Sequence, residues 1–322
     1  MSNETDQFPE TKDTGWERKV LEKIALEGII EQRRARRWGI FFKSLTFLCV
    51  FFVIFAISGF FFKNEPAIAV RHTALVELSG VIDADGKASA DRVIAGLQEA
   101  FKDSKTQGVI LRVNSPGGSP VQAGRINDEI YRLRKLHPNI HLYAVVEDIC
   151  ASGGYYAAVA ADKIFVDKAS LVGSIGVLMD GFGFTGAMEK FGVERRLITA
   201  GENKGFLDPF SPISENQKNI AKKMLSEIHQ QFINVVHKGR GQRLKESPDI
   251  FSGLVWTGEK SIQLGLADGL GDIHSIARDV IKAEDIVDFT PEDNIAEKFA
   301  RRIGAASASA INGVLLSKTQ LR

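Results

Sequence analysis

Cysteine is scarce in this chain of 322 residues: only Cys49 and Cys150 are present. The first lies in an apolar run and the second just before a serine, so no disulfide between them is expected and the fold does not depend on one. Neither sign of charge is in excess. The formal net charge is +1, so no overall field draws the chain to nucleic acid or keeps it from a membrane. Histidine is sparse too, with six in all and none between His141 and His229. There is no internal repeat, and no low-complexity stretch beyond residues 305–310. What is present is ordinary for a globular protein, 44% apolar and 25% charged, with length for one large or two modest domains. Glycine is the exception: many of the thirty cluster between Gly108 and Gly205, which implies tight turns and close backbone approaches.

Residues 1–15 are polar and aperiodic, and no regular structure is expected of them. From 16 to 37 the pattern is helical. Val20, Leu21 and Ile24 begin an apolar stripe, Gly28 interrupts it, and Arg33, Arg34, Arg36 and Arg37 crowd its end. The apolar face is short, which favours a cytoplasmic stub (1–43) over a helix lying on a membrane surface. Residues 44–62 carry no charge, between Lys43 and Lys63. At about 1.5 Å per residue this run approaches the ~30 Å of a bilayer core. A buried soluble helix would show a polar face, and a signal peptide would start nearer the N-terminus. The expectation is one transmembrane helix, with the N-terminus in the cytoplasm and everything after Lys63 outside it.

After a linker at 63–72, strand and helix patterns alternate through 73–285. Strands are expected at 73–82, 108–113, 140–146, 163–166 and 193–198. Helices are expected at 88–105, 120–136, 214–238 and 273–283, the third opened by a capping box of Ser214 and Gln217. Residues 286–322 read as a C-terminal tail. The alternation predicts an α/β domain with a largely parallel sheet, whose ligands bind along the edge where the strands end.

The chemistry centres on a strand-to-helix turn. Residues 140–146 run into Ser152, followed by Gly153, Gly154, Tyr155 and Tyr156. Ser152 is either an N-cap or a nucleophile, and the two glycines allow another backbone close approach to it. Asn114-Ser115-Pro116-Gly117-Gly118-Ser119 follows another strand. It suits a β-turn, or an oxyanion hole or peptide shelf with exposed N–H groups, and lacks the ending of a P-loop. A serine nucleophile needs a base, and the histidine gap excludes a nearby one in sequence. A desolvated lysine serves instead, and Lys204, in a glycine-bearing loop with apolar neighbours, is the leading candidate; other lysines, or a solvated role for Lys204, stay open.

Together, the Ser152 turn, Gly173-Ser174-Ile175-Gly176-Val177, the Asn114–Gly118 turn, the Lys204 loop and Gly265-Leu266-Ala267-Asp268-Gly269-Leu270-Gly271 resemble the signal peptide peptidase A family, in its short form. The resemblance covers about residues 73–285. It implies a Clp-protease/crotonase-like fold of repeated ββα units, here preceded by the transmembrane helix. It implies Ser152 as nucleophile, Lys204 as general base, and Ser174 as the residue orienting the lysine amine. Gly117 or Gly118, with Gly153, would supply the oxyanion donors. No cofactor or metal is implied. The implied partners are peptide substrates, namely cleaved signal peptides and other short or misfolded peptides, together with membrane lipid around 44–62 and further copies of the chain in a ring of eight. The setting is the inner, cytoplasmic membrane with the peptidase domain outside it. Nucleic acid is not expected.

Three other readings compete. Cys150 is a rival nucleophile, against its usual role as a small buried hydrophobe. A crotonase-type acyl-CoA enzyme would share the fold, but CoA is absent outside the cytoplasm. A catalytically inactive membrane-assembly scaffold would not need Ser152, Ser174 and Lys204 together.

Overall fold

The computed structural model describes residues 15–57, 70–245 and 247–292. The chain divides into two compact units, and 67–292 is the globular one.

In the other unit a single helix, α1 (Gly15–Ile57), runs unbroken through the predicted stub and into the apolar run. Trp38 stacks on Phe42 with ring centroids 5.7 Å apart, and Phe51 on Phe55 at 5.9 Å. These are the neighbouring positions of a helix surface. Among the described residues no helix is long and apolar enough to cross a membrane. Of the predicted span only 44–57 is described, about 21 Å of helix and short of the ~30 Å required. Residues 58–62, the linker to 69, the first fourteen residues and the tail from 293 lie outside the described residues.

The globular unit is built on one sheet. Its strands are β1 (His72–Ser79), β2 (Thr106–Ser115), β3 (His141–Ala151), β4 (Lys163–Val166), β5 (Leu171–Gly173), β6 (Val255–Thr257), β7 (Gly269–Leu270) and β8 (Ile286–Asp288). The order β6-β5-β3-β2-β1-β8 is parallel except for β5 against β6, with β4 and β7 branching from β3. β3 serves two neighbours in turn. Its first half pairs β4 through Tyr143 and Lys163, and its end pairs β5 through Ile149 and Leu171. Central strands covered on both faces read as continuous apolar runs, and the burial follows period two. Ala74, Val76, Leu78, Val109, Leu111, Val113, Leu142, Ala144 and Val146 face the main core. Leu75, Ile110 and Val145 face a smaller one with Ile276 and Ala277.

Helices α2 (Ala90–Lys102) and α3 (Pro120–Leu136) bury Val93, Leu97 and Phe101, and Ile126, Ile130 and Leu133, in the main core. Each such side chain is worth about 1.5–3 kcal/mol on full burial. The Ser119 hydroxyl accepts the Gln122 N–H at 3.4 Å and Pro120 takes the first helical position, so α3 begins where its sequence says. The short α4 (Gly153–Ala158) follows β3 directly, and α5 (Thr185–Lys190) interrupts an irregular segment after β5. The long α6 (Glu215–Arg240) carries the predicted Ser214–Gln217 capping box and runs through Gly239 to a cap at Gly241. Then come α7 (Gly258–Gln263) and α8 (Ile273–Ser275), the latter continuing as a π-turn over Ile276–Ile281.

The sequence reading departs from this in several places, three of which bear on the site or the sheet. The strand expected at 193–198 does not form, and Val193, Leu197 and Ile198 are exposed. A strand needs a partner, and the free edge of β5 is taken by Val255–Thr257 instead. The third strand is longer than predicted: it continues to Ala151 and delivers Ser152 to the sheet edge. Strand β8 pairs β1 through Thr73 and Ile286, so residues 286–292, assigned to the tail, belong to the globular unit.

Candidate active site

The adjacent strands β3 and β5 end level with one another. Ala151 and Gly173 are their last register pair, and the Ser152 N–H donates to the Gly173 carbonyl at 2.8 Å. The next residue on each strand is a serine. Ser152 has φ 52° and ψ −122°, and Ser174 has φ 51°. Positive φ in a residue with a side chain costs of order 1–3 kcal/mol, and it persists only where the surroundings over-determine it. Here the sheet clamps both turns, since the Ser174 N–H also donates to the Leu254 carbonyl at 2.7 Å. Of the two roles open to Ser152, side-chain capping is not realised: its hydroxyl makes no capping bond to α4. The hydroxyl is half-buried at a strand-to-helix turn, the geometry that presents a nucleophile.

The second strand end, at β2, brings the glycine turn against the serine. A side chain on Gly117, φ 102°, would place its first carbon 2.7 Å from both the Gly153 nitrogen and the Ser152 Cβ. One on Gly118, φ 148°, would collide with the Ile82 carbonyl. Gly153 packs back on the Gly118 nitrogen, 3.2 Å from where its own Cβ would lie. Gly117, Gly118, Gly153 and Ser152 are therefore brought together, and both glycines of the turn are required. They are not equivalent. The Gly117 N–H donates to the Ser115 hydroxyl oxygen at 3.2 Å, whereas the Gly118 N–H has no acceptor among the described residues and lies in an exposed residue. Sequence reasoning left the choice between Gly117 and Gly118 open, and it passed over Ser115 as a turn residue.

Cys150 is fully buried on β3, and burial pushes its thiol well above the usual range. A thiol that does not ionise is a poor nucleophile, which removes it as a rival to Ser152. Tyr155, also fully buried, anchors α4 from behind by donating its hydroxyl to the Leu266 carbonyl at 2.8 Å. The 265–271 segment is itself pinned by Arg240, whose guanidinium meets both Asp268 oxygens at 2.8 and 2.9 Å. That closing motif supports the site and does not enter it.

Lys204 is exposed on a loop turned by its own N–H to the Gly201 carbonyl at 3.1 Å. Among the described residues its amine has no hydrogen-bond or ion-pair partner, and nothing of that kind joins it to Ser152 or Ser174. The loop belongs to a segment that displays Phe182, Phe191 and Ile198, each more than 80% exposed. One histidine comes near the Ser174 turn: His229 of α6 is half-buried with Nε2 3.2 Å from the carbonyl of Ile175, the residue after Ser174. A cavity of about 1010 Å³ opens elsewhere, among Val145, Glu147, Leu171 and Ile273, and none of Ser152, Ser174 and Lys204 lines it. Among the described residues no cluster of histidine, cysteine or carboxylate side chains is arranged to hold a metal.

Residues 134–286 match the profile described as Peptidase family S49. A Brucella abortus protein named as a Na(+)/H(+) antiporter NhaA is 46% identical over 182 residues, 56% of this chain and 25% of that one. An Enterococcus faecium protein, provisionally named as a signal peptide peptidase SppA, is 30% identical over 60% of this chain and 56% of its own length. Protease 4 of Haemophilus influenzae is 29% identical over 77% of this chain and 40% of its own. The chain thus spans a quarter of the first relative's length, 56% of the second's and 40% of the third's. Ser152, Ser174 and the closing glycine motif all lie inside the residues that are similar to peptidase family S49.

Proposed function

We propose that this protein is a membrane-anchored serine endopeptidase that cleaves signal-peptide remnants and other short or misfolded peptides, using Ser152 with Lys204. The observation that carries the reading is the meeting of three strand ends: Ser152 and Ser174 in matching strained turns, with the open N–H of Gly118 beside them. In the proposed reaction the neutral Lys204 amine takes the Ser152 hydroxyl proton. The oxygen adds to a peptide carbonyl, and the N–H groups of Gly118 and Gly153 receive the negative oxygen. The protonated lysine gives its proton to the leaving amine, and water then hydrolyses the acyl-enzyme. Ser174 orients the lysine amine.

Lys204 reaches the serine of a neighbouring copy in a ring, which we take to be of eight. Support comes from its unpartnered amine on an exposed, aromatic-rich segment. The anchor is the uncharged run 44–62, with the basic stub in the cytoplasm and the domain outside the inner membrane. Support for signal peptides as substrates comes from the name of the Enterococcus relative and from the anchor, which would hold the site where such peptides are left.

The test uses the full chain in detergent on a fluorogenic peptide rich in leucine and alanine, with Ser152→Ala and Lys204→Ala beside it. Both substitutions should remove turnover while the oligomer persists, and only Lys204→Ala and wild type should retain the Ser152 hydroxyl for a fluorophosphonate probe. Turnover that survives Ser152→Ala sinks the proposal. Turnover that survives Lys204→Ala sinks the dyad and leaves the serine.

A further inference from the structure

The buried hydroxyl of Ser115 sits behind the glycine turn and belongs to neither the nucleophile nor the donors. Ser115 is the last residue of β2, paired with Cys150, and is 0% exposed. Its O–H donates to the Gly80 carbonyl at 2.7 Å, and its oxygen accepts the Gly117 N–H at 3.2 Å. The two turns it joins meet at further points. The Gly80 N–H donates to the Asn114 carbonyl at 2.9 Å, the Ile82 N–H to the Gly117 carbonyl at 2.8 Å, and the Ser119 N–H to the Ile82 carbonyl at 2.7 Å. The Gly117 and Ser119 N–H groups are thus both engaged, whereas the Gly118 N–H between them has no acceptor among the described residues. Ser115 also abuts the helix that follows the nucleophile, because a Cβ on Gly154 would lie 2.9 Å from the Ser115 carbonyl oxygen.

We infer that Ser115 is a positioning residue for the oxyanion hole: by occupying the Gly117 N–H and tying it to Gly80, its hydroxyl turns the next N–H, that of Gly118, outward toward the carbonyl under attack at Ser152. The inference rests on the peptidase reading and deepens it. Without the hydroxyl, the buried Gly117 N–H is unsatisfied and the turn is no longer tied to the Gly80 carbonyl, so it has reason to rotate. Rotation of that peptide misdirects the Gly118 donor. Losing an oxyanion donor outright costs about 10²–10³ in kcat, and a misdirected one costs less. The interaction is made only as charge develops on the carbonyl oxygen, so the loss falls on kcat and not on KM.

The experiment compares full-length wild type, Ser115→Ala, Ser115→Cys and Ser152→Ala in detergent, on the fluorogenic peptide and on a peptide aldehyde of the same sequence. Ser115→Ala should lower kcat by about tenfold to a hundredfold, a fraction of the loss of a whole donor, with KM within about twofold. It should weaken the aldehyde, which forms a tetrahedral adduct, by a similar factor. Ser115→Cys keeps a hydrogen-bonding group, weaker and slightly larger than the hydroxyl, so it should fall between, and it stands in if the alanine variant does not fold. A folded variant with wild-type kcat overturns the inference and leaves the peptidase reading intact. So does a loss confined to KM or matched by weaker binding of an uncleavable ground-state peptide. Wild type without Ser152-dependent turnover overturns both.

Discussion

Gly118 is the residue on which backbone geometry and proposed chemistry depend together. Its φ of 148° and the Ile82 carbonyl packed against its Cα leave no room for a methyl group. Gly118→Ala must therefore move the turn or strain it. We expect a stability loss of about 1–3 kcal/mol, the range for a strained backbone position. Turnover should fall more than the fraction folded, because the donor N–H moves with the backbone. Thermal unfolding and kcat measured on one preparation check this, and wild-type kcat would remove Gly118 from the site. Sequence alone identified Ser152 as a candidate, because it follows a strand and precedes two glycines, whereas Ser174 entered only through the family resemblance. The left-handed backbone at both serines was not legible there, since φ at a non-glycine residue is imposed by the neighbours that clamp it.

Among the elements, α6 was the most predictable. Its apolar stripe buries Phe232 and Val236, and its capping box is present as the sequence implied: the Ser214 hydroxyl accepts from Gln217 N–H at 3.2 Å, and the Gln217 side chain accepts from Ser214 N–H at 3.3 Å. Ser214→Ala should cost about 1 kcal/mol, or about 2–4 °C in the unfolding midpoint for a domain of this size. Calorimetry decides it, and no shift would mean that this helix end frays without consequence. The strand expected at 193–198 failed for the opposite reason. A helix satisfies its own hydrogen bonds and can be read locally, whereas a strand depends on which segment wins the neighbouring edge. Val255–Thr257 won the edge of β5, more than eighty residues from its partner in sequence.

Across the whole molecule, the closing motif is held by a buried ion pair. Arg240, 1% exposed, grips Asp268 through both guanidinium nitrogens, and Asp268 also accepts the Ile164 N–H at 2.7 Å. Burial alone would raise the Asp268 carboxyl, but the Arg240 hydrogen bonds and charge outweigh it and hold the group below the usual carboxylate range. A folded carboxyl that titrates below the unfolded one stabilises the fold above the ordinary range near pH 4. That contribution is lost as pH falls toward the lowered folded value. The unfolding midpoint should therefore drop as pH is taken from about 5 to about 3. Asp268→Asn should lose about 3–5 kcal/mol even at neutral pH, because it leaves Arg240 buried without a counter-charge. Unfolding scans across pH test both, and an Asp268→Asn protein as stable as wild type would contradict the second. At the scale of the proposed assembly, no hydrogen bond joins the exposed Lys204 to Ser152 within one copy among the described residues, which leads to a complementation experiment. Mixed subunits carrying Ser152→Ala and Lys204→Ala should regain part of the activity that each lacks alone. No recovery at any mixing ratio would confine the base to its own subunit.

Local chemistry determined much of this protein from sequence alone: the helical runs, their caps, the buried central strands, the uncharged stretch at 44–62 and the serine and glycine motifs. These follow from periodicity and from backbone freedom, which act over a few residues. Tertiary structure alone decided the rest. It brought residues 114–118, 152 and 174 to one edge by aligning three parallel strands, and it gave Gly117 a bonding partner while leaving Gly118 open. It buried Cys150 and left Lys204 exposed. Those outcomes depend on register between segments far apart in the chain, which no local pattern encodes.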